Sequence, residues 1–166
     1  MPHTENGKVF EEFVYERINY DKDEWINLTP YELLDKPRPS GQRYSHTEFT
    51  ANFKKVFKKD PLSVLSKKIN PDLVFYNPKL KKVIVIEDKI QTSDGSVDEK
   101  IQTPAAKIYI LKKLFKLIDC NNVSYYYMLD NNSYNKQKYK DTYEYLDTIE
   151  NCKYFFVNDD FFFEIK

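Results

Sequence analysis

Cysteine, histidine and glycine are all scarce in this chain, and each scarcity removes a class of site. Cys120 and Cys152 belong to no Cys-x-x-Cys pair, and the only histidines, His3 and His46, stand far from them in sequence. A structural zinc site needs about four such donors at ligand spacing, so zinc is not expected. Two isolated thiols suit a chain kept reduced inside the cell, and a cytoplasmic location is expected. None of the three glycines falls in a Gly-x-Gly-x-x-Gly or P-loop pattern, so no nucleotide cofactor is expected. Long apolar runs are missing too, and the first six residues, Met-Pro-His-Thr-Glu-Asn, contain no apolar stretch. Neither a membrane span nor a signal peptide is therefore expected. The 26 Lys and Arg balance the 26 Asp and Glu, so bulk charge does not point to a polyanionic partner.

Apolar and aromatic material is plentiful. Hydrophobic residues make up 41% of the 166, with 14 Tyr and 12 Phe. That composition builds a core, and the length suits one domain over residues 1–166. The chain shows neither an internal repeat nor a low-complexity linker.

The densest chemistry lies in Pro-Asp-Leu-Val-Phe-Tyr-Asn-Pro-Lys-Leu-Lys-Lys-Val-Ile-Val-Ile-Glu-Asp-Lys, from Pro71 to Lys89. Asp72 opens a strand-like run, Asn77-Pro78-Lys79 is a turn signal, and Val83-Ile84-Val85-Ile86 reads as a strand buried on both faces. Ions at the end of such a strand are costly without partners. Side chains alternate along a strand, so Glu87 and Lys89 share one face and Asp88 takes the other. A hairpin return could bring Asp72 beside them. Two carboxylates and an ammonium are the minimum set for holding a divalent cation against a phosphodiester. Hard oxygen donors favour Mg²⁺ or Mn²⁺. A solvated strand end is the plain alternative.

Pro71, Asp72, Glu87 and Lys89 resemble the motif of the PD-(D/E)XK nuclease superfamily, which includes most type II restriction endonucleases. The segment Gly95-Ser96-Val97-Asp98-Glu99-Lys100 is similar to one that follows the active-site strand in some members. The resemblance implies a three-layer α/β fold, with a central mixed sheet flanked by helices. It implies Asp72 and Glu87 as metal ligands, joined by the Asp88 backbone carbonyl, and Lys89 as the charge at the scissile phosphate. It also implies a helix-borne glutamate, and Gly7-Lys8-Val9-Phe10-Glu11 looks like its setting, which makes Glu11 an accessory candidate beside Gln91 and Lys100. The implied activity is metal-dependent cleavage of double-stranded DNA by a restriction-enzyme-like homodimer. Repair, junction-resolving or RNA-cutting nucleases of the same fold are alternatives, as is a binding module without catalysis.

Periodicity supplies the other elements. Phe10, Phe13, Val14 and Ile18 form one stripe of a helix over residues 7–18, with Glu11 at its edge and Glu12 facing away. A helix over residues 53–68, interrupted at Asp60-Pro61, turns its lysines outward. Lys54, Lys55, Lys58 and Lys59 could meet a phosphate backbone, or form a solvated face. Arg38 and Arg43, in the Pro/Gly/Arg loop of residues 35–43, could read bases, although an ordinary surface loop has the same composition. His46 is expected at the surface or the core edge. Ser96-x-x-Glu99 has the form of a capping box. Ile101, Ala105, Ile108, Leu111, Phe115 and Ile118 mark a helical face, which Pro104 either kinks or restarts from Thr103. Strands at 123–129 and 153–157 enclose a helix marked by Tyr139, Tyr143, Leu146 and Ile149. The strand–helix–strand order predicts a parallel pair. A strand ahead of Asp72 is not evident.

Overall fold

The computed structural model describes residues 7–91 and 96–166. In chain order, helix α1 (Gly7–Glu16) is followed by β1 (Ile18–Asn19) and β2 (Ile26–Asn27). Strands β3 (Tyr31–Leu33) and β4 (Tyr44–His46) pair as a hairpin ahead of α2 (Phe49–Phe57). The central hairpin, β5 (Leu73–Asn77) and β6 (Lys82–Lys89), leads to α3 (Pro104–Phe115) and β7 (Asn122–Asp130). A short helix α4 (Asn131–Tyr134), then α5 (Lys140–Asp147), β8 (Cys152–Val157) and β9 (Phe163–Glu164), complete the order.

One sheet of five strands runs β2-β5-β6-β7-β8. β2, β5 and β6 pair antiparallel, whereas β6, β7 and β8 pair parallel. Alternation along β6 explains the layers. Val83 and Val85 pack toward α2 and α3, against Phe53, Leu111 and Phe115. Ile84 and Ile86 pack toward α1, against Phe10, Phe13 and Val14. All four β6 residues are essentially sealed from solvent, and each such burial stabilises the fold by roughly 1.5–3 kcal/mol. The sheet is thus covered on both faces, as expected. The Asn77 carboxamide closes the β5–β6 turn by accepting from the Leu80 amide at 2.9 Å.

Several sequence expectations need correction. α1 ends at Glu16, because Ile18 leaves the helix to pair with Phe163 in a short parallel ladder between β1 and β9. The second helix spans Phe49–Phe57 rather than 53–68. Lys58 stops it in a left-handed conformation (φ 57°), and after Asp60 only a 3-10 turn, Pro61–Ser63, follows. Ser96 caps nothing: a 3-10 turn, Asp98–Ile101, has Val97 at its N-cap with no side-chain hydrogen bond. Pro104 instead opens α3 with Thr103 before it. Ala105 is exposed, and Leu114 takes the buried place on that helix. The strand ahead of Asp72 is β2, two residues long and bonded to Tyr76 and Phe75, too short to leave a periodic signal. The leader reading of residues 1–6, His3 and Gly95 lie outside the described residues.

Candidate functional site

The β5–β6 ladder pairs Leu73 with Ile86, so the residue before β5 and the residue after Ile86 meet at the same end of the sheet. The Asp88 amide donates to the Asp72 carboxylate at 2.8 Å, and the Tyr31 hydroxyl donates to the Asp72 carbonyl at 3.3 Å. Asp72 is thereby fixed from two sides. On β6, Glu87 continues the face of Val83 and Val85, and Lys89 lies beside it with its ammonium 3.9 Å from the Glu87 carboxylate. Asp88 points to the α1 side, where Tyr31 and Glu11 are its charged or polar neighbours. The expected juxtaposition of Asp72, Glu87 and Lys89 is present, and α1 adds Glu11.

The electrostatics of this cluster are unfavourable as it stands. Burial, reinforced by Asp72, pushes the Glu11 carboxyl up to about 8, partly offset by the Lys8 ammonium 3.4 Å away. Burial and Asp72 likewise raise Glu87 to about 7, against the opposing pull of Lys107 and Lys89. Asp88 is held well above the carboxylate range by burial, then by Asp72, Glu11 and Glu87. Both Asp88 carboxylate oxygens are buried, and among the described residues neither has a hydrogen-bond partner. Even with these ammoniums beside them, acids that hold protons near neutrality are short of positive charge, and a hard cation on oxygen donors would supply more. The donor chemistry fits Mg²⁺ or Mn²⁺. Among the described residues, no three His, Cys, Asp or Glu side chains converge as a ligating group. The expected set asks less, two carboxylates and a backbone carbonyl.

Glu12 corrects the reading of α1. It does not face away: it is 2% exposed and accepts from the Arg43 amide at 2.7 Å and the Tyr44 amide at 3.3 Å. His46 Nε2 lies 2.9 Å from the same carboxylate, and its Nδ1 lies 3.5 Å from Glu11. The imidazole stacks on Tyr31 with centroids 4.0 Å apart and planes 4° from parallel. Burial lowers the His46 pKa, while its hydrogen bond to Glu12 works the other way. The β3–β4 hairpin is thus clamped to α1 next to Glu11. Glu12 gave no local signal, because its partners lie more than 30 residues away in sequence.

The outer candidates divide. Lys100 donates to the Gln91 side-chain carbonyl, and Ser133 Oγ donates to the Gln91 backbone carbonyl at 2.8 Å. These two residues therefore meet just beyond β6. Arg43 is ion-paired with Glu16 on α1, and Arg38 is exposed on the hairpin loop. Lys54, Lys55, Lys58 and Lys59 are exposed, and Lys54 lies 3.7 Å from Asp60. Among the described residues, neither a hydrogen bond nor an ion pair joins these lysines to the carboxylate cluster. Lys107, in the first turns of α3, was not foreseen. It borders a cavity of about 250 Å³ together with Glu87. A lysine soon after the strand–helix connection was the available clue.

Neither a curated protein nor a solved structure matches the chain. The profile of the PD-(D/E)XK nuclease superfamily domain matches residues 4–112, more than half of the chain, from α1 through the β5–β6 hairpin into α3. Members of that superfamily are nucleases and generally use divalent metals. The matched stretch contains Glu11, Asp72, Glu87 and Lys89, and the chain belongs to the PD-(D/E)XK nuclease superfamily.

Proposed function

We propose that the chain is a divalent-metal-dependent endodeoxyribonuclease of the restriction type, acting on double-stranded DNA as a homodimer. The observation that carries the reading is the convergence of Asp72, Glu87 and Lys89 at one sheet end, with Glu11 delivered from α1. Asp72, Glu87 and the Asp88 carbonyl would hold Mg²⁺ or Mn²⁺, which when bound neutralises phosphate oxygens and acidifies a coordinated water. Lys89 sets an ammonium beside Glu87, where negative charge grows on the scissile phosphate. The Asp88 amide and the Tyr31 hydroxyl hold Asp72 in register. Gln91 and Lys100, bonded to each other, form an accessory pair beside this end of β6. Arg38, Arg43 and the α2 lysines offer cations to the duplex outside the cluster. One such site cuts one strand, so a double-strand break calls for two protomers about a two-fold axis or for two successive nicks. Two free, buried cysteines suit a reducing compartment, in keeping with a cytoplasmic enzyme. Among the described residues, no helix is long and apolar enough to cross a membrane.

The test is digestion of plasmid, single-stranded DNA and RNA with Mg²⁺, with Mn²⁺ and with chelator, followed by sequencing of the ends. Metal-dependent discrete fragments with uniform ends are expected. Absence of cutting across the panel overturns the reading, and random nicks overturn its restriction-type part. Asp72→Ala, Glu87→Ala and Lys89→Ala should each abolish cutting, and full activity in Lys89→Ala would remove the motif argument.

A further inference from the structure

The cavity beside Glu87 has a composition that the metal-centred reading leaves unused. One wall is the segment entering β5, with Ile69 and Pro71, and the other is α3, with Ile110 and Lys107. Tyr125, from the neighbouring strand β7, also lines it. The Tyr125 hydroxyl is buried, with Tyr127 as its polar neighbour. Lys107 is half-buried, and among the described residues no carboxylate lies within ion-pair distance of its ammonium. The cleft therefore combines apolar walls, one half-buried cation and one buried hydroxyl, directly against a carboxylate of the proposed metal set.

Those three properties match one repeating unit of a nucleic-acid backbone. A phosphate needs a cation and hydrogen-bond donors, while the adjoining sugar presents an apolar carbon edge. A void of about 250 Å³ is of the size of one such unit. We propose that this cleft is a subsite for the nucleotide flanking the scissile phosphate, with Lys107 on the flanking phosphate and the sugar edge against Ile69, Pro71 and Ile110. Lys89 and Lys107 then have separate duties. Lys89 serves the phosphate that is cut, and Lys107 holds its neighbour and sets the register of the strand. This subsite rests on the nuclease reading above. The influence of Lys107 on Glu87, which exceeds that of Lys89, is consistent with an ammonium close to the reacting centre.

The test uses an oligonucleotide spanning a mapped cut, with a neutral methylphosphonate replacing each flanking phosphate in turn. Full-length wild type, Lys107→Met and Lys107→Arg are compared for KM, kcat and salt dependence. Lys107→Met keeps the apolar stem and removes the charge, and unchanged thermal melting certifies its fold. It should raise KM roughly tenfold and reduce the salt slope by about one phosphate's worth. Lys107→Arg should retain most of the affinity. One methylphosphonate position should cost wild type the same factor and cost Lys107→Met nothing further. Additive losses in the variant, an unchanged KM and salt slope, or a kcat defect with a displaced pH profile alone would overturn the subsite while leaving the nuclease reading standing. A wild-type protein that neither binds nor cuts nucleic acid would overturn both.

Discussion

Metal-free protein should become less stable as pH rises from about 5 to 8, and a divalent cation should reverse most of that loss. Glu11 and Glu87 have folded-state pKa values of about 8 and about 7, against 4.5 for an unperturbed glutamate, and Asp88 is raised as well. A raised carboxyl binds its proton more tightly in the folded chain than in the unfolded one. Its contribution is fully present below pH 4.5 and disappears as pH climbs through the folded value. A shift as large as that of Glu87 alone is worth about 3 kcal/mol. All three acids share Asp72 as a repelling neighbour, so their effects overlap rather than add in full. His46 opposes them: its pKa is lowered, so its contribution grows as pH rises toward its ordinary value. The raised tyrosines start above 10 and do not enter this window. For a chain of this size, about 3 kcal/mol corresponds to a fall in Tm of roughly 10 °C. Circular-dichroism melts at pH 5, 6.5 and 8 with chelator read it directly. Saturating Mg²⁺ or Mn²⁺ should then raise Tm most at pH 8, where the carboxylates are free to bind. A chelated Tm that is flat or rising from pH 5 to 8 would refute the reasoning.

The same geometry predicts opposite fates for two adjacent acids. Glu12→Ala strands the Arg43 and Tyr44 amides and releases the hairpin, and urea titration should show a loss of about 3 kcal/mol. Glu11→Gln removes a repelled charge, so metal-free protein at pH 8 should melt at a higher temperature, while the cutting rate falls at least roughly tenfold. Arg43→Ala breaks an ion pair whose arginine side chain is 48% exposed, and should cost less than about 1 kcal/mol in the same titration.

What could be read ahead of the structure was what is encoded locally. The β-branched run of β6, its turn at Asn77 and the alternation that separates Glu87 and Lys89 from Asp88 all follow from residues close in sequence, and they fix the centre of the candidate site. Asp72 lies beside them, as a hairpin return allows, because a short hairpin leaves little choice of partner. Elements stabilised from afar were misjudged. Ile18 fits a helical stripe, yet its partner in the ladder is Phe163, at the opposite end of the chain. Ser96 and Glu99 have capping-box spacing, but Val97 and Ile101 are buried in the core, and that packing sets a 3-10 turn instead. Local propensity offers a few tenths to about 1 kcal/mol in such cases, and buried side chains outweigh it.

Glu12 makes the sharper case. A glutamate next to a helix stripe is ordinarily solvated, since burying a carboxylate without partners is prohibitive. Here the partners exist because the hairpin between β2 and α2 returns over α1 and presents two amides and an imidazole to one carboxylate. The adjacent Glu11, at the edge of the same stripe, faces carboxylates instead. One helix turn therefore carries an acid held by two amides and an imidazole, and an acid pressed against the Asp72 carboxylate with Lys8 as partial compensation. The first holds the scaffold together, and the second leaves an electrostatic deficit that Lys8 offsets in part and a proton or a further cation would fill. That deficit, more than the motif itself, is the physical reason to expect a cation at the candidate site.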